Sequence, residues 1–423
     1  MAMTPNRPTQ GSRIHRSGGG RGIDRREFLR RTAATGMGLG LLPLAEARAT
    51  IPPRPEIRRR VVLGRTGLEV PDIGFGTSRL AGEVDLVRYA LDHGITYFDT
   101  AMMYTEGSSE ETLGRALEGR RDEVILATKV LAKGRESRQE LMESLEGSLR
   151  RLRTDHVEIF FNHAVNDVRR LQNPEWPEFV ALAKEQGKMR FSGMSGHGGR
   201  LVECLDFAID NDLIDVMLVG YNFGQDPAFH ERLTRSMDFV ATQPELPRVL
   251  AKARQKNLGV IAMKTLRGGR LNDLRAYEEN GATFAQAAFR WTLSSPNVNS
   301  LIVTMKNTAM VDEYLGASGW TQPKSADIGL LERYEARNGE SQCRYGCNDC
   351  TNACPAGVAI SDVLRARMYA EDYEDLDFGR ESYAGIAANA SPCVTCSHQA
   401  CTGACPHGLS IPALTGAAQR LLG

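Results

Sequence analysis

Long apolar stretches are missing from this sequence. Beyond residue 44 no segment reaches the roughly 18 uninterrupted apolar residues of a membrane-spanning helix, so an integral helical membrane protein is excluded. Cysteine is almost absent from the first 342 residues, which hold Cys204 alone, and this excludes a scaffold stapled throughout by disulfides. Net charge is missing as well: 52 basic residues meet 52 acidic ones. The first 49 residues carry 9 basic and 3 acidic side chains, leaving the remainder mildly acidic, without the basic footprint of a nucleic-acid-binding protein. No Gly-x-Gly-x-x-Gly follows an early apolar run, which removes the main support for a doubly wound dinucleotide-binding sheet. What is present, 423 residues that are 42% apolar and 25% charged, suits one large globular domain and a smaller one.

Residues 1–23, rich in Gly, Arg and Ser, read as a leader with no fold of its own. Asp24-Arg25-Arg26-Glu27-Phe28-Leu29-Arg30 then sets two arginines before an aromatic and a leucine, followed by a weakly apolar run from Thr32 to Leu44. Ala47-Arg48-Ala49 supplies a small-x-small cleavage site. Residues 1–49 thus resemble a bacterial twin-arginine signal peptide, the alternative being an arginine-rich disordered tail. The resemblance implies export of the folded protein to the periplasm by the twin-arginine translocase, and the lack of a later apolar run of spanning length predicts a soluble mature protein.

From Arg60 onward, short apolar or β-branched runs alternate with longer amphipathic segments, the pattern of parallel strands joined by helices. The candidate strands are Asp72–Phe75, Thr96–Asp99, Val124–Thr128, His156–Phe161, Met189–Met194, Val216–Gly220, Val260–Met263 and Ser300–Val303. Eight is the number that closes a (β/α)8, or TIM, barrel. Ser137 and Glu140 form a capping box ahead of a helix whose Leu141, Leu145, Leu149 and Leu152 share one face, and Ser108-Ser109-Glu110-Glu111 offers a second such start. Val61–Val70, with Gly64 and Gly67, reads as a hairpin that plugs the barrel's bottom. Cys204 sits between Leu201 and Leu205 on a helical pattern and is expected in the core.

In such a barrel the C-terminal ends of the strands face the active site. Asp99 ends the second strand, Tyr104 lies in the loop after it, Lys129 ends the third strand and His163 follows the fourth. Each has an ordinary alternative: a capping aspartate, a half-buried tyrosine, a surface lysine, a loop histidine. As a set they are more specific. A buried lysine paired with an aspartate can lower the proton affinity of a nearby phenol, making it an acid near neutral pH, while a histidine orients a carbonyl oxygen.

Over roughly residues 58–320 the chain resembles the aldo/keto reductase family. The likeness is carried by Thr96-Tyr97-Phe98-Asp99-Thr100-Ala101, by Tyr104 with Gly107, Ser109-Glu110 and Leu113-Gly114, and by Leu126-Ala127-Thr128-Lys129. Gly187–Ser195 and Gly259–Lys264 extend it. The resemblance implies a catalytic tetrad of Asp99, Tyr104, Lys129 and His163, with hydride passing from a bound NADP or NAD to a carbonyl while Tyr104 gives the proton. It places Ser195, Tyr221 and Asn222 against the nicotinamide, and Lys264, Arg267 and Gly268 against the pyrophosphate. Many members follow the eighth strand with a Lys-Ser pair and a later arginine for the 2′-phosphate. Here Thr304-Met305-Lys306-Asn307 leaves Lys306 as a weak anchor, and NADP versus NAD stays open.

Residues 321–340 read as a linker helix and 341–423 as a second domain. It holds two cysteine groups, Cys343-x3-Cys347-x2-Cys350-x3-Cys354-Pro355 and Cys393-x2-Cys396-x4-Cys401-x3-Cys405-Pro406. Both resemble bacterial ferredoxin segments that hold two 4Fe–4S clusters, in which the fourth cysteine of one run ligates the other cluster. That likeness implies Cys343, Cys347, Cys350 and Cys405 on one cluster and Cys393, Cys396, Cys401 and Cys354 on the other. The x3 and x4 spacings leave the partition open, and zinc is the alternative metal. The stretch from Ser361 to Met368 between the groups reads helical, so a small α-helical ferredoxin-like domain is expected.

The reading is an exported oxidoreductase acting on a small carbonyl or alcohol substrate, with 4Fe–4S clusters for electron transfer or structure and a redox partner protein where they transfer electrons. Export of a folded protein and cofactors inserted in the cytoplasm support each other. The periplasm is not expected to maintain a nicotinamide pool, so the cofactor would be tightly held or the hydride would come from elsewhere. The alternative is an iron–sulfur electron-transfer protein whose barrel is a docking or sensing scaffold.

Overall fold

Each of the apolar runs read as a strand becomes one, with bounds shifted by no more than two residues. The computed structural model describes residues 55–198, 200–224, 245–266, 278, 283–338, 343, 348–371 and 376–423. The leader and signal-like residues 1–49 therefore lie outside the described residues. β1 (Arg60–Val62) and β2 (Glu69–Pro71) form an antiparallel ribbon. β3 (Ile73–Gly76), β4 (Tyr97–Asp99), β5 (Ile125–Val130), β6 (Val157–Asn162), β7 (Met189–Gly196), β8 (Val216–Gly220), β9 (Gly259–Met263) and β10 (Ser300–Thr304) follow. They pair in parallel and close into a barrel in the order β10-β3-β4-β5-β6-β7-β8-β9.

The period-two alternation of a strand divides the apolar residues between two cores. Ile159 and Phe161 of β6 face the barrel interior with Tyr97, Ala127, Val216, Leu218, Ile261 and Ile302. Phe160 faces outward and meets Phe179 at 5.7 Å between ring centres, in the larger core under the surrounding helices. Leu63, Leu68 and Val70 of the ribbon join the interior set, so the ribbon closes the barrel's lower end. Gly64 makes this approach with φ +52°, and a Cβ there would stand 2.4 Å from the Gly259 nitrogen. Cys204 is fully buried on the helix Leu201–Asp210.

The helix Arg138–Leu152 starts with the capping box of Ser137 and Glu140. The helix Ser108–Ala116 starts where expected but by other means. Its N-cap is Gly107, φ +91°, with no side-chain cap. The Ser109 hydroxyl instead lies 2.7 Å from that of Thr77 and 2.9 Å from that of Thr100. Fully buried Glu110 accepts from the Thr128 hydroxyl (2.5 Å) and from Arg151 Nε (2.6 Å). A carboxylate with a cation waiting inside gains more there than by capping a helix end.

The segment read as a linker is part of the barrel's outer layer. On the helix Ser325–Asn338, Leu330, Leu331 and Tyr334 join the barrel core, and Tyr334 stacks on Phe284 at 4.6 Å. Asp327, fully buried, receives Arg290 Nη1 at 2.9 Å. Beyond it, the helices Asp349–Asn352, Ile360–Glu371, Leu376–Ala384, Ala400–Ala404 and Ile411–Leu422 surround a separate small core of Val358, Ile360, Val363, Leu364, Tyr383 and Ile411. Among the described residues this segment contains no strand.

Candidate active site

The barrel brings Asp99, Tyr104, Lys129 and His163 to one cavity of about 130 Å³ at the C-terminal ends of the strands. Asp99 closes β4 and Lys129 lies in the neighbouring β5, so adjacent parallel strands set the two side chains together. Lys129 Nζ donates to Asp99 Oδ1 and to the Thr100 carbonyl, each at 2.5 Å. Both side chains are 1% exposed. The same ammonium lies 4.9 Å from the centre of the Tyr104 ring. The His163 ring meets that of Tyr104 edge-on, 5.6 Å between centres.

Burial lowers the proton affinity of Lys129, against the opposing pull of Asp99 and Glu110. Burial likewise raises that of Asp99, and Lys129 opposes it. The short contact and the Thr100 carbonyl satisfy the charged forms, and we describe the pair as an ion pair. The Tyr104 phenol corrects the expectation from the sequence. Burial first, and the Asp99 charge second, hold it well above the ordinary phenol value rather than below it. The Asp99 charge offsets part of the pull of the Lys129 ammonium, and burial outweighs the rest. Burial, then Lys129, Arg170 and Lys264, hold His163 well below the usual imidazole value, leaving a neutral ring.

Several supporting residues were not legible in the sequence. Arg170 donates to the carbonyls of Ala132 (2.6 Å), Ala164 (2.7 Å) and His163 (2.7 Å), clamping the loop that carries His163. Non-glycine residues with left-handed backbone flank the cavity: Thr105 and Glu106 after Tyr104, Ala164 after His163, and Lys264 itself. Such strain persists where the surrounding structure over-determines it, commonly at functional sites. An arginine pair, Arg169-Arg170, in the loop after a strand is the only sequence signal for Arg170, and the strained residues carry none.

The model of the aldo/keto reductase family matches residues 72–333, well over half of the chain. The chain belongs to the aldo/keto reductase family. It is 34% identical to the aldo-keto reductase YhdN of Bacillus subtilis over 31% of this chain and 44% of that protein. It is 31% identical to the uncharacterized oxidoreductase YrpG of the same organism, over 52% of this chain and 70% of that one. Among solved structures, an aldo-keto reductase from Klebsiella pneumoniae in complex with NADPH is 26% identical, covering 65% of this chain and 94% of its own, with a TM-score of 0.51. The chain spans less than half of YhdN's length, so that protein's activity does not transfer as a whole.

In this aldo/keto reductase, Ser195 and Lys264 line the cavity with the tetrad. Ser195 Oγ accepts from the Ala164 backbone at 3.0 Å. Thr265, also in the lining, has a buried hydroxyl without a partner among the described residues. Tyr221 is 3% exposed and packs on Trp291 at 5.4 Å, outside the described lining. Asn222 donates to the Lys264 carbonyl at 3.2 Å and accepts from Gly224 N at 3.0 Å, shaping the loop from behind. Lys306 follows β10 just before Asn307, which caps the helix Thr308–Leu315. Arg267 and Gly268 lie outside the described residues.

The C-terminal segment reaches the same cavity, which the sequence did not foretell. Tyr369 and Phe378 are in its lining, and Asn166 Nδ2 donates to Asp362 Oδ2 at 2.6 Å, tying the helix Ile360–Glu371 to the loop after β6. Of the cysteines, Cys350 is buried and Cys343, Cys354, Cys393, Cys401 and Cys405 are partly buried around the small core. Burial first, then the neighbouring Cys354 and Cys396, push the Cys393 thiol up, against a bond with Thr415. Cys401 is raised by burial and by Cys354, Cys393 and Cys396. The thiols of Cys354, Cys393, Cys396 and Cys401 thus gather within electrostatic reach of one another. Cys347 lies outside the described residues. Among the described residues no three His, Cys, Asp or Glu side chains are arranged to hold a single metal ion.

Proposed function

We propose that this chain is an exported carbonyl reductase that uses NADPH or NADH in its barrel and carries two 4Fe–4S clusters in its C-terminal segment. The observation that carries the reductase reading is the buried Asp99–Lys129 pair beneath the Tyr104 ring, at one cavity with neutral His163. The NADPH complex of the Klebsiella relative supports the cofactor class. A bound nicotinamide would supply hydride to the carbonyl carbon. Tyr104 gives its proton to the carbonyl oxygen as that hydride arrives. The Lys129 ammonium stabilises the phenolate left behind, and Asp99 holds that ammonium in place. His163 orients the carbonyl oxygen, and the phenol regains its proton from solvent. A phenol of raised proton affinity stays protonated at neutral pH and so has a proton to give to the alkoxide that forms as hydride arrives.

Ser195, Lys264 and the unpartnered Thr265 hydroxyl would meet the cofactor, with Arg267 and Gly268 beside them and Lys306 towards a 2′-phosphate. For the clusters, the gathering of Cys354 with Cys393, Cys396 and Cys401 supports the crossed set typical of two-cluster ferredoxin segments. Cys343, Cys347, Cys350 and Cys405 would hold the second cluster, and residues 341–423 would form the ferredoxin-like domain. The Arg25-Arg26 pattern supports twin-arginine export to the periplasm. No described helix is long and apolar enough to cross a membrane.

The test is an anaerobic optical titration of cluster-loaded mature protein with NADPH, then NADH, with and without carbonyl compounds. Oxidation of nicotinamide by a carbonyl is the expected result; without carbonyl, bleaching of both clusters, one electron each, as one nicotinamide is oxidised would make barrel and clusters one electron circuit. No change in the nicotinamide band with any carbonyl would overturn the reductase reading.

A further inference from the structure

The cavity beside the tetrad has a wall that the barrel does not supply. Tyr369, 2% exposed, stands on the helix Ile360–Glu371 between the two cysteine groups. Its ring stacks on Phe378 at 4.6 Å and lies 4.2 Å from the Lys264 ammonium. Its hydroxyl is 3.3 Å from Nε2 of His197, another lining residue. Asp362 faces the barrel seven residues earlier, two helical turns away on the same side, through its bond to Asn166. The helix is therefore docked along its length, and Tyr369 is a fixed part of the site.

His197 is held neutral by burial and by Lys264, Arg365 and His163 around it. The phenol is the stronger acid of the two, so Tyr369 donates to Nε2 and the ring's own proton stays on Nδ1. That nitrogen is buried and meets nothing beyond its own backbone among the described residues. A reacting carbonyl oxygen needs Tyr104 and His163 only. His197 and Tyr369 form a second polar pair at the same cavity.

We propose that Tyr369 is a specificity-determining residue donated by the cysteine-rich segment. Its phenol oxygen, whose proton is held by His197 Nε2, accepts from a hydroxyl next to the reacting carbonyl of the substrate. The inference rests on the carbonyl reduction proposed above.

The test compares glycolaldehyde with propanal, which has the same number of non-hydrogen atoms but no second oxygen, using the cluster-loaded full chain. Wild type is expected to show a KM for glycolaldehyde about tenfold below that for propanal, with similar kcat. Tyr369→Phe keeps the ring contacts and is expected to abolish that difference by raising the glycolaldehyde KM alone. Tyr369→Ala should raise kcat/KM for benzaldehyde relative to propanal. Glyoxylate forms a third arm: a KM dependent on Tyr369 for glyoxylate but not glycolaldehyde would mean that Tyr369 donates to a carboxylate, and overturns the proposal. A preference that survives in Tyr369→Phe, or is absent from wild type for glycolaldehyde, also overturns the proposal. Ligand-observed NMR without cofactor reads the same preference as binding, so failure of turnover with every carbonyl would sink the reductase reading and leave this one to be decided by the binding difference.

Discussion

The barrel and the cysteine-rich segment are stabilised in different ways although they share a cavity. In the barrel, strands joined by a closed parallel ladder bury apolar residues on both faces, and the two cores are continuous around the ring. The C-terminal segment has a few short helices around a small core in which the cysteines themselves are packing residues. A core of that size supplies little stability alone, and small domains of this kind commonly depend on a bound metal group. Polar chemistry sits accordingly: the barrel can hold an ion pair at 1% exposure because its framework over-determines the geometry. The segment contributes to the site through one helix, fixed to the barrel by polar contacts at both ends.

The largest expected effect breaks this comparison at the cysteines. On the proposed cluster assignment, Cys354→Ser should release iron from one cluster, lowering the content from about eight irons per chain towards four. Hydrogen exchange should show protection lost across 349–423 while β3 to β10 keep theirs. Equal loss in barrel and segment would mean that the two fold as one unit.

Next comes the chemistry of the barrel alone. Tyr104→Phe should lower kcat for carbonyl reduction by about 10²–10⁴-fold without lowering the melting temperature, read by steady-state NADPH oxidation and calorimetry. A variant within a factor of two of wild type would remove Tyr104 as the acid. Smaller, and purely structural, is the buried pair that seats the helix Ser325–Asn338. Asp327→Asn leaves Arg290 uncompensated and should cost about 3–5 kcal/mol in denaturant unfolding. No change would show that this helix is a linker after all.

The smallest effect is one of pH. A raised Tyr104 keeps its proton as pH rises, and a lowered His163 stays neutral as pH falls. Both groups hold their working states between about pH 6 and 9, so kcat for reduction should vary less than about twofold there. A fall in kcat centred near neutral pH would place a different titrating group in the reaction.

Much of the barrel was legible because its signals are local. Strand runs, the Ser137 capping box and the tetrad positions follow from periodicity and from which strand ends share a barrel face. The cysteine spacing is likewise local and marks a group of thiols by itself. Other features depend on neighbours remote in the chain. Glu110 looked like a helix cap until Arg151 and Thr128 drew it inward, and the 321–340 segment looked like a linker until Arg290 paired with Asp327. The direction of the Tyr104 shift needed the balance between Lys129, Asp99 and burial, which spacing does not carry.

What the amino-acid order determined by itself is the set of elements and the side chains at the strand ends, because helix and strand periods and capping are short-range. Only the tertiary structure decided that the helix between the cysteine groups lies over the barrel's mouth. Tyr369 and His197 are 172 residues apart, and their meeting depends on how two separately packed cores dock.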